Sequence, residues 1–356
     1  MIVIFKKKLP PLVGVDITSS SVKVLEISKS GSRYRVDRFA MEPLPQGAVV
    51  ESAVADIDEV SRVLERALRR AGSKRKHAAV AVASSHVITK TIGVPGGLKP
   101  KELEDHVMLE AENYVPYPLD EVNLDFEVIG PAQDNPNEDD LLLTACRGEI
   151  VDAYMAVVES AGLIPAVVDV DAFAIENVFP LVEGHLSSGG KPISTVAVMD
   201  FGVSTTRAIV IHEGRSVYTR DQAFGGKQLA DEAMRRFDMS DEDLRQARLS
   251  GELPAEYYSD IVEPFVESMG QETNRALQFF FSASTFDGVD HVLLSGGCAQ
   301  IPGVETHVAE STGLPTSVLN PFVDMTMASR VKGSLLQNCA PSMAVACGLA
   351  IRNLEL

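Results

Sequence analysis

The sequence predicts an α/β fold of two similar lobes that face one another across a cleft. One observation is a polar hairpin pattern that occurs twice, at a constant offset of 184 residues. A second is the alternation of short apolar stretches, typical of buried strands, with stretches of helical periodicity. A repeat at this distance is too long for a solenoid and indicates a duplicated domain. The 356 residues, 45% of them apolar, suffice for two or three domains or subdomains.

The repeated hairpin has the composition of a phosphate-binding turn. Residues 12–27 and 196–211 each read as an apolar arm, a carboxylate, a hydroxyl-rich turn, a cation and a second apolar arm, with Asp16 aligned on Asp200. Backbone N–H and hydroxyl groups of such a turn can point at phosphate oxygens. A carboxylate beside them predicts Mg²⁺, usually held through water. An ordinary hairpin is the alternative for either copy alone, whereas two copies in register favour a two-sided clamp. The candidate residues are Asp16, Thr18, Ser19, Ser20, Ser21, Lys23, Asp200, Gly202, Ser204, Thr205 and Thr206.

Composition and charge exclude some classes of function. The chain has 50 acidic and 32 basic residues, and its net charge of −18 argues against non-specific nucleic-acid binding. The four cysteines, Cys146, Cys298, Cys339 and Cys347, have no metal-ligand spacing and indicate buried thiols in a reducing, cytoplasmic compartment. No apolar run approaches the ~18 residues of a membrane span. Residues 1–8 are apolar first and basic second, the wrong order for a signal peptide; a weak anchor to acidic lipid and a loose chain end are the alternatives.

Between the two hairpins the chain reads as strands and helices with one inserted module. A third strand (33–39), an amphipathic helix (57–71) and a buried strand (78–83) extend the first lobe. The order strand, helix, strand, strand, helix from 84 to 165 predicts a small inserted subdomain. Its acidic loop at 130–140 has no calcium-binding spacing, so a solvated hairpin is favoured there. The module's elements are the strand 87–94, the helix 102–114, the strands 122–129 and 141–146 and the helix 150–161.

Two carboxylates follow the module at a junction between a strand and a helix. Residues 165–170 read as the strand and residues 172–179 as the helix, with Asp169 and Asp171 between them. Open α/β sheets bind ligands at the carboxyl ends of their strands. Both carboxylates are therefore candidate functional residues. The polar, glycine-rich residues 184–192 read as the linker between the two lobes.

Two glycine pairs in the second half of the chain are further candidates for a ligand site. Gly225 and Gly226 open a helix, whose N-terminus is a potential anion site within reach of Lys227. Gly296 and Gly297 follow a strand, and their bare backbone allows a planar group to lie against it. A plain turn is the alternative for the first pair.

One face of the last helix of the chain carries only alanine and glycine. Ala340, Ala344 and Gly348 lie four residues apart. Such a face permits close contact between helices, as at a hinge between domains, and an ordinary core helix is the alternative. Residues 257–282 form a long helical pattern, and the aromatic residues 279–281 at its end read as core.

These motifs occur in the order found in the actin-like ATPases. Asp16 with its serines, residues 200–206, Ser295-Gly-Gly297 and the helix at 340–351 resemble, respectively, the first phosphate motif, the second phosphate motif, the adenosine motif and the second connecting helix of that family. The inserted module is similar to that of the cell-division protein FtsA. Within the family the chain most resembles the PilM family of type IV pilus assembly proteins. The stretches that carry this likeness are 13–23, 110–118, 169–174 and 276–281.

The resemblance implies a ligand and partners. It implies ATP between two lobes, Mg²⁺ near Asp16 and Asp200, and a cytoplasmic protein held at the inner membrane through its partners. Those partners are the N-terminal cytoplasmic tail of PilN, in a groove involving the inserted module, and other proteins of the pilus platform; self-association is left open. The residues implied at the adenosine are Gly296, Gly297, Ala299, Gln271, Asn274 and Arg275. For the last three, the alignment with the corresponding helix of relatives can be off by one residue.

The resemblance also implies the domain boundaries. The first lobe takes residues 1–83, 166–190 and 336–356, and the inserted subdomain takes 84–165. The second lobe takes a core of 191–220 and 288–335 and a helical subdomain of 221–287.

Departures from the family pattern predict slow chemistry. Val203 and Thr18 stand where many actin-like ATPases have glycine, which narrows the room for backbone at the phosphates. Asp169 falls about where relatives place a water-orienting Glu or Gln, and its side chain is one methylene shorter. A misplacement of roughly 1 Å can cost ~100-fold in rate. We therefore expect ATP binding with slow or negligible hydrolysis.

Two alternative functions remain open from the sequence. One is a small-molecule kinase with Asp169 or Asp171 as its base, although nothing else suggests a second substrate pocket. The other is an FtsA-like polymer-forming protein, which the lack of an amphipathic helix in residues 353–356 disfavours.

Overall fold

A computed structural model describes residues 10–132, 135–186 and 192–354. The strands, in chain order, are β1 (Leu12–Ile17), β2 (Ser21–Ser30), β3 (Arg33–Pro43), β4 (Val49–Val50), β5 (Ala53–Val54), β6 (His77–Val82), β7 (Val87–Pro95), β8 (Val122–Pro131), β9 (Glu138–Arg147), β10 (Ile164–Val170), β11 (Thr195–Phe201), β12 (Thr206–His212), β13 (Arg215–Gln222), β14 (His291–Ser295), β15 (Thr316–Val318) and β16 (Thr326–Met327). The helices are α1 (Ile57–Ala71), α2 (Pro100–Ala111), α3 (Gly148–Ser160), α4 (Asp171–Val182), α5 (Gly226–Phe237), α6 (Asp241–Ser250), α7 (Glu263–Ala283), α8 (Val304–Thr312), α9 (Gly333–Cys339) and α10 (Ala344–Ile351).

Two large sheets repeat one topology. The first has the order β10-β6-β1-β2-β3-β16 and the second the order β13-β12-β11-β14-β15. In each, an antiparallel hairpin (β1–β2 or β11–β12) continues into a third antiparallel strand, and its first strand pairs in parallel with a later one, β6 or β14. The registers also repeat, since Asp16 pairs with Lys23 and Asp200 with Arg207. The duplication predicted from the 184-residue offset is therefore present in the strand pairing.

Helices α4 and α10 lie in a single apolar core that reaches both sheets. This core contains Leu12 of the first sheet and Val198 of the second, together with the buried faces of both helices. Backbone meets backbone at two glycines of this core. A Cβ on Gly348 would lie 1.7 Å from the carbonyl oxygen of Ala174, and a Cβ on Gly14 would lie 2.2 Å from that of Ala346. Gly348, a member of the predicted small-residue face, thus packs directly against α4, whereas Ala346 of the same helix packs against β1.

The inserted module has its own sheet and core. Its strands follow the order β7-β9-β8, and Val94 and Leu141 of these strands are buried together with Val107 of α2. The prediction that the following helix belongs to the module is corrected. Helix α3 packs with the first lobe, because its buried residues Tyr154 and Val157 join the core that covers α1 and β6. The sequence shows the helical period of α3, but it does not show which element covers the apolar face of this helix.

Around the second sheet, α5, α6 and α7 share a core with the strands. The predicted core role of the aromatic triplet holds for Phe280, which is fully buried, whereas Phe281 is 37% exposed. The expectation that no stretch approaches a membrane span is corrected at one place among the described residues, because Gly333–Ile351 is a helical stretch long and apolar enough to cross a membrane. Most of that stretch is buried inside the protein, as in the core helix of a globular fold. All four cysteines are buried free thiols.

Candidate functional site

The two hairpin turns are closed by the same backbone hydrogen bond. The amide of Thr18 donates to the carbonyl of Ser21 at 3.0 Å, and the amide of Gly202 donates to that of Thr205 at 3.0 Å. The two central residues of each turn lie outside this bond, and a phosphate could accept hydrogen bonds from their amides. Of these amides, that of Ser20 contacts the Thr18 hydroxyl at 3.5 Å. The hydroxyl of Thr18 helps to close the same turn, since its Oγ1 contacts both the carbonyl and the hydroxyl of Ser21.

The predicted hydroxyl residues fall into two groups. Ser19 and Ser20 are half-buried and Ser204 is exposed, so these hydroxyls are accessible at the turns. Thr206 is fully buried, and its hydroxyl donates to the carbonyl of Phe224 at 2.8 Å. That hydroxyl is therefore committed to the fold and does not face a ligand, which corrects its place among the candidate binding residues.

A buried ion pair lies beside the first turn. The Lys23 ammonium lies 2.7 Å from Oδ2 of Asp16, and both side chains are under 10% exposed. The pair follows from the strand register, because residues opposite each other in an antiparallel ladder have side chains on the same face. The predicted phosphate contact of Lys23 and metal contact of Asp16 would therefore each compete with this pair.

The equivalent cation of the second hairpin joins the two lobes. Arg207 on β12 donates to both carboxylate oxygens of Asp221, at 2.8 and 2.9 Å. It also donates to Asp171, the first residue of α4 in the other lobe. Asp171 accepts in turn from the amide of Ser84 at 2.9 Å. The repeat alignment identifies Arg207 as the partner of Lys23, but nothing in the sequence predicts Asp221 as its acceptor.

The carboxylates at this site have perturbed protonation. Burial raises the pKa of Asp171 to about 6, against the lowering effect of Arg207. Burial also raises the pKa of Asp200, against the effects of Arg207 and Lys23. The cluster comprises Asp16, Asp171, Asp200, Asp221, Lys23 and Arg207. Four carboxylates against two cations leave an excess of negative charge in which a divalent cation would be favoured.

The glycines at the start of α5 hold the second turn and do not form a free anion site. The amide of Gly226 donates to the carbonyl of Gly202 at 3.0 Å, and the amide of Lys227 donates to that of Val203 at 2.7 Å. A Cβ on Gly225 would lie 2.5 Å from the Val203 oxygen. The prediction of an anion site at this helix N-terminus is corrected, because its first amides are already bonded.

Lys227 is likewise not directed at a ligand. Its ammonium lies 2.6 Å from Asp231, one turn along the exposed face of α5. The i,i+4 spacing of an acidic and a basic residue accounts for this surface pair.

The two glycines after β14 have different surroundings, because the first is packed against backbone and the second is open to solvent. Gly296 has φ +85°, and its Cβ would lie 2.3 Å from the carbonyl oxygen of Phe201, so only glycine fits. Gly297 is exposed, and no atom lies within 4 Å of its Cβ position. It therefore offers the bare backbone predicted for an adenosine wall. Ala299 is only 2% exposed and belongs to the core.

The three candidate residues on α7 are not brought to the glycine pair. Asn274 donates at 2.8 Å to the carbonyl and hydroxyl of Ser311, at the C-terminal end of α8, whereas Gly297 precedes the N-terminal end of α8. Arg275 lies 3.7 Å from Glu272 and 5.7 Å from the centroid of the Phe279 ring. Gln271 lies exposed one turn before Arg275. A slip of one residue does not correct this, because α8 is nine residues long and a helix rises about 1.5 Å per residue.

A cation that the sequence did not suggest lies nearer this cleft. Arg248 of α6 donates to the hydroxyl of Tyr257 at 2.8 Å. Burial raises the pKa of Cys298 to about 11, and the charge of Arg248 opposes that shift, which indicates that the two groups are neighbours. No local motif surrounds Arg248, so only the packing of α6 reveals it.

Asp169, the predicted catalytic residue, lies away from the two turns. Its Oδ2 lies 3.0 Å from Nε of Arg352, beyond the end of α10, and its Oδ1 accepts from the amide of Val170 at 2.8 Å. Burial raises its pKa and Arg352 lowers it, with no contribution from the hairpin charges. The carboxylate that reaches the cluster is Asp171, two residues further on, where the chain turns into α4.

No group of three or more His, Cys, Asp or Glu side chains is arranged to hold a metal ion among the described residues. The predicted magnesium ligands Asp16 and Asp200 lie close enough to influence one another's charge. Since Mg²⁺ commonly uses one or two carboxylates, water and substrate phosphate, these two residues fit a metal that depends on the nucleotide.

The inserted module carries an exposed apolar surface. Leu109 is 64% exposed, and Met108, Tyr114 and Tyr117 are between 40% and 44% exposed. Helix α2 buries only Val107 and Ala111, which leaves its other face open. Exposed apolar patches mark interaction sites, and these four side chains lie on α2 and on the turn that follows it. We name Met108, Leu109, Tyr114 and Tyr117 the α2 surface.

The chain is similar to known pilus assembly proteins in both sequence and structure. A family model described as type IV pilus assembly protein PilM matches residues 14–354. A solved structure described as a PilM-PilN type IV pilus biogenesis complex is similar, with 26% identity, a TM-score of 0.79 and coverage of 98% of this chain and 99% of that chain.

Two further solved structures share the fold. The ethanolamine utilization protein EutJ from Carboxydothermus hydrogenoformans has 16% identity, a TM-score of 0.56 and coverage of 97% of this chain and 91% of that chain. MreB 5 of Spiroplasma citri, bound to AMPPNP, has 12% identity, a TM-score of 0.50 and coverage of 97% and 98%. The predicted actin-like fold is thereby confirmed.

Proposed function

The chain belongs to the PilM family of type IV pilus assembly proteins and has a role in assembling that pilus, and from this premise we propose that it is a nucleotide-binding scaffold. In this proposal ATP binds between the two lobes, and its presence sets the state of a peptide-docking surface on the inserted module. The observation that supports it best is the buried charge cluster, because Arg207 of one lobe and Asp171 of the other meet beside both hairpin turns.

The residues at the cleft suit ATP with Mg²⁺. The amides and hydroxyls at Ser19, Ser20 and Ser204 would hold phosphate oxygens, and Gly297 would adjoin the adenosine. Asp16 and Asp200 would hold Mg²⁺ through water, which offsets the excess negative charge of the cluster. When bound, the metal would screen the phosphates from these carboxylates. Lys23 would orient Asp16 or, on exchange, contact a phosphate.

We infer that hydrolysis is slow or absent. Asp169 is paired with Arg352, and Asp171 is held by Arg207 and the amide of Ser84, so neither of these two carboxylates is free to orient a water. Steady-state phosphate release by the purified chain should stay near background. Rapid turnover that Asp171→Asn abolishes would contradict this inference.

We propose that the α2 surface docks an N-terminal peptide of a PilN-type partner at the cytoplasmic face of the inner membrane. The solved structure described as a PilM-PilN complex supports a partner of this kind, since it matches this chain over 98% of its length. The exposed apolar side chains of α2 and the following turn support the choice of surface. Apolar anchors of a peptide would bury them on binding.

Calorimetry with a synthetic PilN tail peptide tests both parts of the proposal. Leu109→Ser should weaken peptide binding at least about tenfold if Leu109 anchors the peptide, since a well-packed anchor contributes ~2 kcal/mol. Leu335→Ser is the matched control, because Leu335 is a leucine 49% exposed on α9. Equal affinity of wild type and Leu109→Ser would reject the surface. Peptide affinity unchanged between ATP-loaded and nucleotide-free protein would reject the coupling.

A further inference from the structure

A short turn connects the charge cluster of the cleft to the inserted module. Residues Ser84–His86, which we name the entry turn, form a single 3₁₀ turn between β6 of the first sheet and β7 of the module. The amide of Ser84 donates to Oδ1 of Asp171 at 2.9 Å, and Oδ2 of the same carboxylate accepts from Arg207. The entry turn also packs against β13 of the second lobe. One carboxylate therefore holds both the cation of the other lobe and the entrance to the module.

The other end of the entry turn is bonded to a strained hairpin. Strands β4 and β5 are joined by Glu51 and Ser52, and both residues have positive φ, of 48° and 62°. A two-residue loop of this kind favours asparagine and glycine, because other side chains in this backbone region cost free energy. Nε2 of His86 lies 2.8 Å from the carbonyl oxygen of Glu51, to which it donates. A conformation that these residues disfavour is therefore held from outside the hairpin.

The same hairpin is also held from the exit of the module. The hydroxyl of Tyr154 on α3 donates to the carbonyl of Ser52 at 3.1 Å, and α3 begins directly after β9. Burial raises the pKa of Tyr154, and the charges of Asp171 and Asp16 raise it further. The buried hydroxyl that holds the hairpin therefore also lies in the field of the charge cluster.

The entrance and the exit of the module lie side by side. Strand β7 begins at Val87, directly after the entry turn, and Val87 pairs with Cys146 near the end of β9. Strands β7, β9 and β8 form one sheet, and α2 shares a core with it. Because both chain crossings lie together, a change in their direction would move the module as a unit, as at a hinge of a few residues.

We propose that the entry turn and the β4–β5 hairpin couple the nucleotide to the α2 surface. This inference rests on the proposed function and names the residues that carry its coupling. Binding of a nucleotide beside Asp16 and Asp200 would change the charge around Asp171 and thereby shift the entry turn. His86 would then keep or release the strained hairpin. The hairpin is the two-state element, because it can relax once the bonds that hold it from outside are lost.

Calorimetry with the synthetic PilN tail peptide, with and without a non-hydrolysable ATP analogue, tests the inference. In wild type the analogue should change peptide affinity about fivefold or more, the lower end of typical coupling between sites. His86→Ala should reduce this ratio below about twofold, whereas His86→Gln, which can still donate to the Glu51 carbonyl, should retain it. His307→Ala is the matched control, because His307 is also half-buried but lies on α8 of the second lobe. The analogue itself should bind all of these variants as it binds wild type.

A substitution in the hairpin separates coupling from stability. Glu51→Asn/Ser52→Gly supplies the residues that such a turn favours, so the hairpin would keep its shape without His86. This variant should raise the melting temperature and lower the coupling ratio, a combination that a purely structural hairpin would not give. Coupling that persists unchanged in His86→Ala or in the hairpin variant would overturn this inference and leave the proposed function intact. Peptide affinity that does not respond to the analogue in wild type would overturn both.

Discussion

Removal of Arg207 is expected to destabilise the protein more than removal of the carboxylate it bridges to. The Arg207 side chain is 9% exposed and contacts Asp171 and Asp221, which are 13% and 18% exposed. Arg207→Gln would leave these buried carboxylates without their cation, at a cost of about 3–5 kcal/mol. Asp171→Asn keeps the shape and removes a desolvated charge, so its expected cost is at most about 1 kcal/mol.

The pH dependence of the loss distinguishes this reasoning from a simple packing effect. With Arg207 present, the pKa of Asp171 is about 6 against an ordinary 3.8. The stabilisation from its protonated form is therefore fully present below pH ~4 and is lost as the pH rises through about 6, a difference of about 3 kcal/mol. Without Arg207 the pKa should rise further, so the destabilisation should be largest near neutral pH and smaller near pH 5.

Urea unfolding followed by far-ultraviolet circular dichroism measures this, since the chain contains no tryptophan. The free energies of unfolding of wild type, Arg207→Gln and Asp171→Asn would be compared near pH 7 and near pH 5. A loss below ~1 kcal/mol for Arg207→Gln near neutral pH would refute the electrostatic account. An equal loss at both pH values would point to lost packing instead.

Further substitutions test the contact between α10 and α4 and the nucleotide cleft. Gly348→Ala should lower the free energy of unfolding by ~3 kcal/mol or more, because its Cβ would lie 1.7 Å from the Ala174 carbonyl oxygen. Gly184→Ala is the control, because the space around its Cβ position is open. Equal melting temperatures of the two variants would contradict the contact. Lys23→Ala should weaken the binding of a fluorescent ATP analogue at least about tenfold, as expected for loss of a charged contact worth ~1.5–3 kcal/mol. Lys227 pairs with the exposed Asp231, so Lys227→Ala should change the affinity for the analogue less than about twofold. Equal affinities of the two lysine variants would reject a role for Lys23 at the nucleotide.

The features that sequence predicted well are those set by local geometry. The two hairpins could be aligned because each turn is closed within four residues, and the opposition of Asp16 to Lys23 then follows from the strand register. The glycines were located correctly but their roles were only partly predicted. Gly225 and Gly296 are required by backbone contacts between segments distant in sequence, which a one-dimensional pattern does not contain.

The features that sequence did not predict are pairings between distant elements. Asp169 and Asp171 are nearly equivalent in sequence, and only the start of α4 decides which one reaches Arg207. The sequence position of Asn274 suggests a ligand-facing residue, but its side-chain amide donates to the carbonyl of Ser311 on α8 instead. Helix α3 has one apolar face, and whether the module or the first lobe covers it depends on the three-dimensional path of the chain.

The backbone contact between α10 and α4 has a mechanical consequence. Because no side chain separates the two backbones at Gly348, a movement of α4 would be passed directly to α10. Asp171, which pairs with Arg207 of the other lobe, is the first residue of α4, so the charge cluster and this contact lie on the same helix. A ligand that displaced Asp171 would therefore be expected to shift α10 and the first sheet, against which α10 packs.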